Sequence, residues 1–408
     1  MSIRTLAGIV SACACVCLWQ QSSDLHADSP AVQQRFAAEF ESYFRQHILA
    51  EDVTGAAFVI ASPAGIVELG TAGHTDARQT RPIDADTVFR IASVSKTFAA
   101  GLAGLLVHEG RFNWDDRVID HVPSFRIKGD SSRLRVQDLL GQSTGLMPHA
   151  YDNLIEDGLP LDRIQEKFRE LEYVCQPGAC YSYQNSVFSL IQPVIERSTA
   201  QSYAHLMEAR IFRPLDMKTA SVGYEPFVGN PNHALPHVKS RGQWKTVRVK
   251  PNYYQVEPAA GVNASALDMG KWLVAQMGGQ PGVFDPAVID TLTEPRVETR
   301  RDTRRKHWRD LLSAAHYGLG WRIYRMGDHQ IAYHSGWVSG YRADIAWSED
   351  YGIGIAVLMN VEGGTISGLT TTFWRMAFEQ LKPVIDGKSP QMAAAQGNGG
   401  QPGATTVR

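Results

Sequence analysis

A serine and a lysine three residues apart are the side chains of this sequence best suited to covalent chemistry. Ser93 and Lys96 stand in the run FRIASVSKTF, and the apolar residues that follow at helical spacing predict that Ser93 opens a helix ending at Gly110. Residues three apart share one helical face, so the Lys96 amine can reach the Ser93 hydroxyl. Serine becomes a nucleophile only beside a base, and lysine serves once burial lowers its pKa from about 10.4. Because this spacing is common, an ordinary surface segment is the alternative.

Two later segments carry further side chains that can move protons or bind a carbonyl group. In the run CYSYQNS, Tyr183 can act as an acid or base, and Asn185 can donate to a substrate carbonyl and accept from Lys96. In the run YHSGW, a strand is predicted to lead into a glycine that lets an extended substrate lie along its edge. This third segment consists of His334, Ser335, Gly336 and Trp337. A tyrosine-rich loop and an ordinary strand end are the alternatives.

The order S-x-x-K, Y-x-N and [KH]-[ST]-G resembles the β-lactamase and penicillin-binding protein superfamily of serine hydrolases, and more narrowly its class C β-lactamase branch. That branch includes D-aminopeptidases, DD-peptidases and esterases. The resemblance extends over roughly residues 54–380. Its supporting segments are TVFRIA at 87–92, LLGQSTGL at 139–146, GVNASALDM at 261–269 and YGLGW at 317–321.

The resemblance implies a role for each matching residue. Ser93 is the expected nucleophile, Lys96 its proton acceptor, and Tyr183 the acid or base for the leaving group and the deacylating water. Asn185 is expected to contact a substrate amide, and His334, Ser335, Gly336 and Trp337 to bind substrate. The backbone N–H groups of Ser93 and Trp337 are the expected oxyanion hole.

Two positions depart from the pattern of class C β-lactamases. His334 replaces a lysine, and relatives with histidine here are often peptidases or esterases. A histidine is cationic only part of the time near neutral pH, so a fixed attraction for a substrate carboxylate is weakened. Gln142 stands where many relatives have histidine, with an effect that the sequence does not define.

The elements that must position these residues can be read from apolar spacing. A helix is predicted near 32–48, a strand hairpin at 55–60 and 65–69, and strands at 321–324, 330–333, 343–347 and 352–359. A last helix is predicted at about 370–384. Strands at both ends of the chain around a helical middle predict an α+β fold, with an antiparallel sheet flanked by helices and a mainly helical lobe. The site is expected in the cleft between the two lobes.

Domain boundaries follow from composition. Residues 1–27 are predicted to be a signal peptide, with lipid attachment at Cys13 as the alternative. Residues 28–385 are the expected catalytic domain, with an α/β lobe at about 28–110 and 310–385 and a helical lobe at about 111–309. Residues 386–408, rich in Gly, Gln, Ala and Pro, are predicted to be a disordered tail.

Cysteine use agrees with export to the periplasm or outside the cell. Cys175 and Cys180 are the only cysteines after the predicted signal peptide, and a turn signal at Pro177 separates them. An oxidising compartment would favour a disulfide, which would stiffen the chain just before Tyr183. Two free buried thiols and a metal site are the alternatives.

The sequence gives little indication of a metal, a cofactor or a macromolecular partner. His233 and His237 are four apart, but Pro236 between them argues against a helical zinc pair, and no metal or cofactor is predicted. His149, in a predicted cleft loop, is a possible substrate contact. A net charge of −2 gives no indication of nucleic acid. Membrane contact is expected only if the N-terminus is retained or lipidated, and the oligomeric state is left open.

The predicted function is that of an exported serine hydrolase acting through a Ser93 acyl-enzyme. β-Lactams or peptides containing D-alanine are the favoured substrates. A carboxylesterase and a penicillin-binding sensor that is acylated without turnover are the alternatives.

Overall fold

The computed structural model describes residues 30–381. The predicted signal peptide and C-terminal tail lie outside this range. The α-helices are α1 Pro30–Ala50, α2 Ser95–His108, α3 Val118–His121, α4 Val136–Leu140, α5 Asp152–Glu156, α6 Leu161–Glu166, α7 Ile191–Thr199, α8 Tyr203–Met207, α9 Tyr224–Gly229, α10 Glu257–Ala260, α11 Ala266–Gln276, α12 Pro286–Thr293 and α13 Thr365–Gln380. The strands are β1 Gly55–Ser62, β2 Gly65–Gly73, β3 Phe89–Arg90, β4 Ser221–Val222, β5 His237–Ser240, β6 Gln243–Thr246, β7 Val262–Ala264, β8 Val297–Glu298, β9 Ala314–Tyr317, β10 Arg322–Met326, β11 His329–Val338, β12 Tyr341–Ser348 and β13 Ile353–Met359.

An antiparallel sheet built from both ends of the described chain organises the fold. Its eight strands lie in the order β2-β1-β13-β12-β11-β10-β9-β8, so the N-terminal hairpin pairs with the last strand. The predicted α+β fold with an antiparallel sheet flanked by helices is confirmed. Strand β11, which carries the HSG segment, lies inside the sheet between β10 and β12.

Both faces of the sheet are covered by helices, which explains why β1 is buried along its whole length. Because strand side chains alternate between faces, Phe58 joins one hydrophobic core and Val59 the other. The Phe58 core contains an aromatic stripe of α1, Phe36, Phe40 and Phe44, on the helix that apolar spacing predicted near 32–48. The rings of Phe40 and Phe58 meet edge to face at 5.2 Å between centroids. The Val59 core contains α2, so the sheet directly supports the helix that follows Ser93.

Several element boundaries differ from those predicted. Strands β8 and β9, which extend the sheet beyond β10, were not predicted, and the last helix lies earlier in the chain, at Thr365–Gln380. Ser93 does not begin the α-helix itself: it lies in a single turn of 3-10 helix, Ala92–Val94, and α2 starts at Ser95. Gly110, with a φ of +71°, follows the end of α2 as predicted.

Candidate active site

The turn that presents Ser93 has an unusual backbone. Ala92 has a φ of +48°, a left-handed conformation that residues with a side chain seldom adopt. Such strain persists only where the surroundings fix it. Strand β11 does so from one side, because a Cβ on Gly336 would lie 2.1 Å from the carbonyl oxygen of Ile91. The close approach explains why glycine occupies position 336 and brings Trp337 beside the Ser93 turn.

Lys96 is fully buried, and its amine has three polar neighbours. Nζ lies 2.7 Å from Oδ1 of Asn185 and 3.1 Å from the carbonyl oxygen of Ala259, both of which can only accept hydrogen bonds. It lies 3.3 Å from Oγ of Ser93. The two acceptors use the two N–H bonds of a neutral amine, which leaves its lone pair for the Ser93 hydroxyl.

Burial also allows the neutral form of the Lys96 amine to be populated near physiological pH. Loss of hydration lowers the pKa of Lys96 from 10.5 to about 7. The carboxylate of Asp152 opposes this shift, and the guanidinium of Arg322 adds to it. Geometry and charge therefore both allow Lys96 to accept the Ser93 proton.

Tyr183 lies within hydrogen-bonding reach of Ser93. Burial raises the pKa of Tyr183 to about 12, although the Ser93 hydrogen bond and the charge of Arg322 act in the opposite direction. The ring also lies 4.7 Å from Nζ of Lys96. Tyr183 is therefore a neutral phenol at pH 7, able to donate a proton but not to act first as a base.

Asn185 connects Lys96 to an acidic residue that the sequence did not identify. Its Oδ1 accepts from Lys96, whereas its Nδ2 donates to Oδ2 of Asp152 at 3.0 Å. The same Asp152 oxygen lies 2.9 Å from Nδ1 of His149. One amide N–H expected to face substrate is therefore engaged with Asp152, and Asn185 fixes the position of the lysine. His149 remains largely exposed at the outer end of this network.

The third segment carries no positive charge. His334 is buried, with Nδ1 2.9 Å from the carbonyl oxygen of Ser335 and Nε2 3.0 Å from the hydroxyl of Tyr317. Nδ1 must therefore carry the proton and donate it, and Nε2 accepts from Tyr317. Burial and the nearby charges of Arg322 and Lys96 lower the pKa of His334 well below 6.5. The sequence predicted a partly cationic imidazole, whereas the buried ring is neutral.

The segment containing Gln142 fixes the backbone of the tyrosine loop. Gln142 Nε2 donates to the carbonyl oxygen of Gln184 at 3.0 Å, and its Oε1 accepts from the Gln184 N–H at 2.6 Å. Because Gln184 lies between Tyr183 and Asn185, this amide pair sets the position of both side chains. This function of Gln142 was not predicted.

The structure contains the disulfide between Cys175 and Cys180. Gly178, inside the small loop that it closes, donates its N–H to the carbonyl oxygen of Ser143 at 2.7 Å. The disulfide loop is therefore attached to the same 139–146 segment that contains Gln142. The disulfide and this hydrogen bond restrict the conformation of the chain just before Tyr183.

Arg322 is a second charged residue at the site that the sequence did not reveal. It begins β10, is almost fully buried and forms an ion pair with the buried Asp302. Its Cζ lies 5.7–5.8 Å from the ring centroids of Tyr181, Tyr183 and Tyr317. A fixed cation thus stands behind the tyrosines, although the third segment carries none. Its position directly after YGLGW is the one signal that could have indicated it.

The two histidines considered for a zinc pair, His233 and His237, form ordinary structural contacts. Nδ1 of His233 lies 2.6 Å from the carbonyl oxygen of Asn230, and Nδ1 of His237 lies 2.9 Å from that of Asn360. Within residues 30–381, no group of three or more His, Cys, Asp or Glu side chains could hold a metal ion. In the same range, no helix is long and apolar enough to cross a membrane.

The sheet, its covering helices and the serine–lysine–tyrosine site define a β-lactamase/transpeptidase-like protein. The Beta-lactamase family model matches residues 40–372, and the chain belongs to this family. The resemblance predicted from the three motifs is confirmed.

Individual relatives are distant. The Unguisins hydrolase ungD' of Aspergillus campestris is 23% identical over 294 residues, which are 67% of this chain and 53% of that protein. The chain thus spans about half the length of this curated relative. The octameric penicillin-binding protein homologue from Pyrococcus abyssi has a TM-score of 0.73 at 21% identity, covering 84% of this chain and 78% of that one. EstCE1, a hydrolase with promiscuous acyltransferase activity, has a TM-score of 0.70 at 16% identity, covering 86% and 99%.

Proposed function

We propose that this protein is a serine hydrolase that cleaves carboxylic esters through a Ser93 acyl-enzyme. The observation that carries the proposal is the buried amine of Lys96, which lies 3.3 Å from Ser93 Oγ and donates to Asn185 Oδ1 and the carbonyl oxygen of Ala259. When the amine is neutral, those two acceptors use both of its N–H bonds, and its lone pair can take the Ser93 proton. The names of two similar proteins, a hydrolase of unguisins and a hydrolase with acyltransferase activity, support the reaction type.

Acylation follows from this geometry. Nζ of Lys96 takes the Ser93 proton as Oγ attacks the ester carbonyl carbon. The backbone N–H groups of Ser93 and Trp337 would stabilise the oxyanion. As the ester C–O bond breaks, the phenol of Tyr183 gives its proton to the leaving oxygen and regains one from the Lys96 ammonium. In deacylation, Lys96 takes a proton from water, whose oxygen attacks the acyl carbonyl, and Ser93 leaves with that proton.

The uncharged third segment favours esters over β-lactams. A β-lactam carries a carboxylate on its leaving side, and a fixed cation there would bind it. The neutral His334 offers none, and Arg322 lies behind the tyrosine rings in an ion pair with Asp302. A small ester has no carboxylate on its leaving group and does not need a cation at this position.

Tyr183 supports a second candidate, the hydrolysis of β-lactams or peptides containing D-alanine. An amine leaving group must be protonated before it departs, and a neutral phenol hydrogen-bonded to Ser93 is placed to do so. The two candidate reactions have the same steps and differ in the leaving atom, which is nitrogen in an amide or β-lactam and oxygen in an ester.

A substrate panel separates these candidates. We expect wild-type protein to hydrolyse 4-nitrophenyl butyrate with turnover, and to hydrolyse penicillins and cephalosporins at least a hundredfold less efficiently. His334→Lys should raise the kcat/KM for β-lactams about tenfold, because it adds a cation beside the substrate carboxylate, and should leave ester hydrolysis unimproved. Efficient β-lactam turnover by wild type would establish the second candidate instead. A β-lactam adduct that persists in intact-protein mass spectra would identify a penicillin-binding sensor.

Arg322 provides a test of the electrostatic part of the mechanism. Since its charge lowers the pKa of Lys96, the double variant Arg322→Met/Asp302→Asn should raise that pKa. Changing Asp302 together with Arg322 avoids an unpaired buried carboxylate, and the other ion-pair partner of Asp302, Arg305, has a side chain that is 41% exposed and can be hydrated. The acid limb of the kcat/KM profile should move to higher pH, with a several-fold loss at pH 6 and a smaller loss at pH 8. Arg325→Met, which alters an exposed arginine on the same strand, is the control. An unmoved acid limb would show that Arg322 does not act on Lys96.

We also propose that the protein is exported to the periplasm or outside the cell. The disulfide between Cys175 and Cys180 supports this location, because such bonds persist in oxidising compartments.

A further inference from the structure

A cavity of about 310 Å³ adjoins the candidate active site at the end of β11. Trp337, with 62% of its surface exposed, forms one wall, and Arg90, three residues before Ser93, forms another. Trp337 therefore belongs both to this cavity and to the proposed oxyanion hole. A cavity of this size accommodates a short acyl chain.

Arg90 is a buried cation with unused hydrogen-bond donors. The residue is 3% exposed, and Nη1 donates to the carbonyl oxygen of Lys250 at 3.1 Å. Its Cζ lies 4.0 Å from the centroid of the Tyr254 ring, which holds the guanidinium in place. Nε and Nη2 have no hydrogen-bond partner among residues 30–381 and almost no accessible surface, so a ligand in the cavity reaches them after a small turn of the Arg90 side chain. Because buried donors without a partner are costly, their retention beside a cavity points to a ligand that accepts from them.

The charges around the cavity favour an anion at its buried end. Neither Arg90 nor Lys250 forms an ion pair with any residue that the structure describes. The two acidic residues at the cavity already accept hydrogen bonds: Glu156 from the hydroxyl of Tyr253 at 3.1 Å, and Glu362 from the N–H of Gly340 at 2.9 Å. Both glutamates are more exposed than Arg90. Lys250 is exposed as well, so Arg90 is the one buried charged residue in the cavity lining, and the charge at the buried wall is positive.

The position of the cavity indicates which part of a substrate it would take. Its walls include Trp337 but neither Lys96 nor Tyr183, the two residues that move protons to the leaving group. A leaving group must lie near the phenol of Tyr183. The acyl part of the substrate, which remains on Ser93, is therefore the part that reaches the cavity.

We propose that this cavity recognises a carboxylate at the far end of the substrate's acyl chain, with Arg90 as its main partner and Lys250 as a second. The inference rests on the proposed ester hydrolysis and specifies its substrate class: half-esters of short dicarboxylic acids. A planar guanidinium with two free donors matches the two oxygens of a carboxylate.

The test compares two esters of the same shape and different charge. Mono-4-nitrophenyl glutarate carries an acyl carboxylate, and 4-nitrophenyl 5-methylhexanoate replaces it with an isopropyl group. Wild type should prefer the glutarate by tenfold or more in kcat/KM, as expected for a charge-assisted hydrogen bond. Arg90→Gln should reduce the ratio to about one, Arg90→Lys should retain part of it, and Lys250→Met should reduce it several-fold. Because each ratio is taken within one protein, partial misfolding does not alter it.

Two controls define the site. Lys245→Met removes an exposed lysine outside the cavity and should leave the ratio unchanged. 4-Carboxyphenyl butyrate, which carries the carboxylate on the leaving group, should show no dependence on Arg90. Equal rates for both acyl esters in wild type, a preference that survives Arg90→Gln, or a stronger preference for 4-nitrophenyl 5-aminopentanoate would each overturn the proposal.

A binding experiment separates failure of this inference from failure of the proposed function. Glutaric acid monoanilide should bind to Ser93→Ala in calorimetric titration, and the combined Ser93→Ala/Arg90→Gln variant should bind it about tenfold more weakly. If wild type hydrolyses none of the esters yet this difference is measured, the cavity assignment stands and the ester hydrolase proposal is wrong. If the two variants bind the anilide equally, the cavity assignment is wrong whatever the activity.

Discussion

Ser93→Ala is expected to lower ester hydrolysis by at least four orders of magnitude and to abolish covalent labelling by acylating reagents. The reason is that Ser93 supplies the proposed nucleophile and contacts both the Lys96 amine and the Tyr183 phenol. Removing the nucleophile of a coupled set costs nearly as much as removing the whole set. Intact-protein mass spectrometry and initial rates with 4-nitrophenyl butyrate provide the measurement.

Ser42→Ala is the matched control for this prediction. Ser42 is exposed on α1, and its hydroxyl bonds only to the backbone of its own helix. Its variant should retain full activity and label to the same extent as wild type. A Ser93→Ala protein that still gains one acyl mass would remove the nucleophile assignment, and peptide mapping of that adduct would locate the residue responsible.

The sequence predicted the parts of the site that depend on local spacing. Ser93 and Lys96 are three positions apart along one turn, so their contact at 3.3 Å follows from helical geometry. The strand that leads into His334, and the importance of Gly336 after it, could also be predicted, because the alternation of side chains and the lack of one at glycine are local signals. The meeting of the Ser93, Tyr183 and Trp337 segments was inferred only from resemblance to a family.

The residues that the sequence missed act across long separations. Asp152 is joined to Lys96 by hydrogen bonds through Asn185, and Arg322 lies near Tyr183 although the two are far apart in the sequence. No spacing rule connects such positions. The neutral state of His334 was missed for the same reason: burial and the charges of Arg322 and Lys96 lower its pKa, and the sequence alone does not reveal either effect.

In the fold, too, local elements were predicted and elements that depend on long-range pairing were missed. The aromatic stripe of α1 and the β1–β2 hairpin were predicted from their periodicity, and both lie close to the expected residues. Strands β8 and β9 were missed because they are short and exist through pairing with neighbours. Their apolar residues are too few to give a periodic signal.

Lys96→Met is expected to lower kcat/KM for esters by about 10²–10⁴-fold, the usual effect of losing a general base. Wild-type kcat/KM should rise with pH through about 7 and then level off, because only the neutral amine accepts the Ser93 proton. In Lys96→Met this acid limb should vanish, along with most of the rate. Stopped-flow acylation measured between pH 5 and 9 tests both effects. An unchanged rate, or an acid limb that survives the substitution, would identify another base.

The same substitution should change how stability depends on pH. The pKa of Lys96 is about 7 in the folded protein and 10.5 in the unfolded chain, so between these values the unfolded chain binds one more proton. The free energy of unfolding therefore falls as pH decreases from about 10.5 to 7, by a few kcal/mol, and the lysine adds no further change below pH 7. Lys96→Met lacks this dependence, so its Tm should change less than that of wild type between pH 7 and pH 9.

This comparison separates a catalytic lysine from a structural one. A lysine that is charged in the folded state would bind the same number of protons folded and unfolded between pH 7 and 9, and both proteins would then show the same change in Tm. Lys245→Met, which removes an exposed lysine, should follow wild type and controls for the general effect of pH on the protein. A wild-type Tm that rises more steeply with pH than that of Lys96→Met, together with the lost acid limb, would mean that the energy spent on burying the amine is what makes it a base at neutral pH.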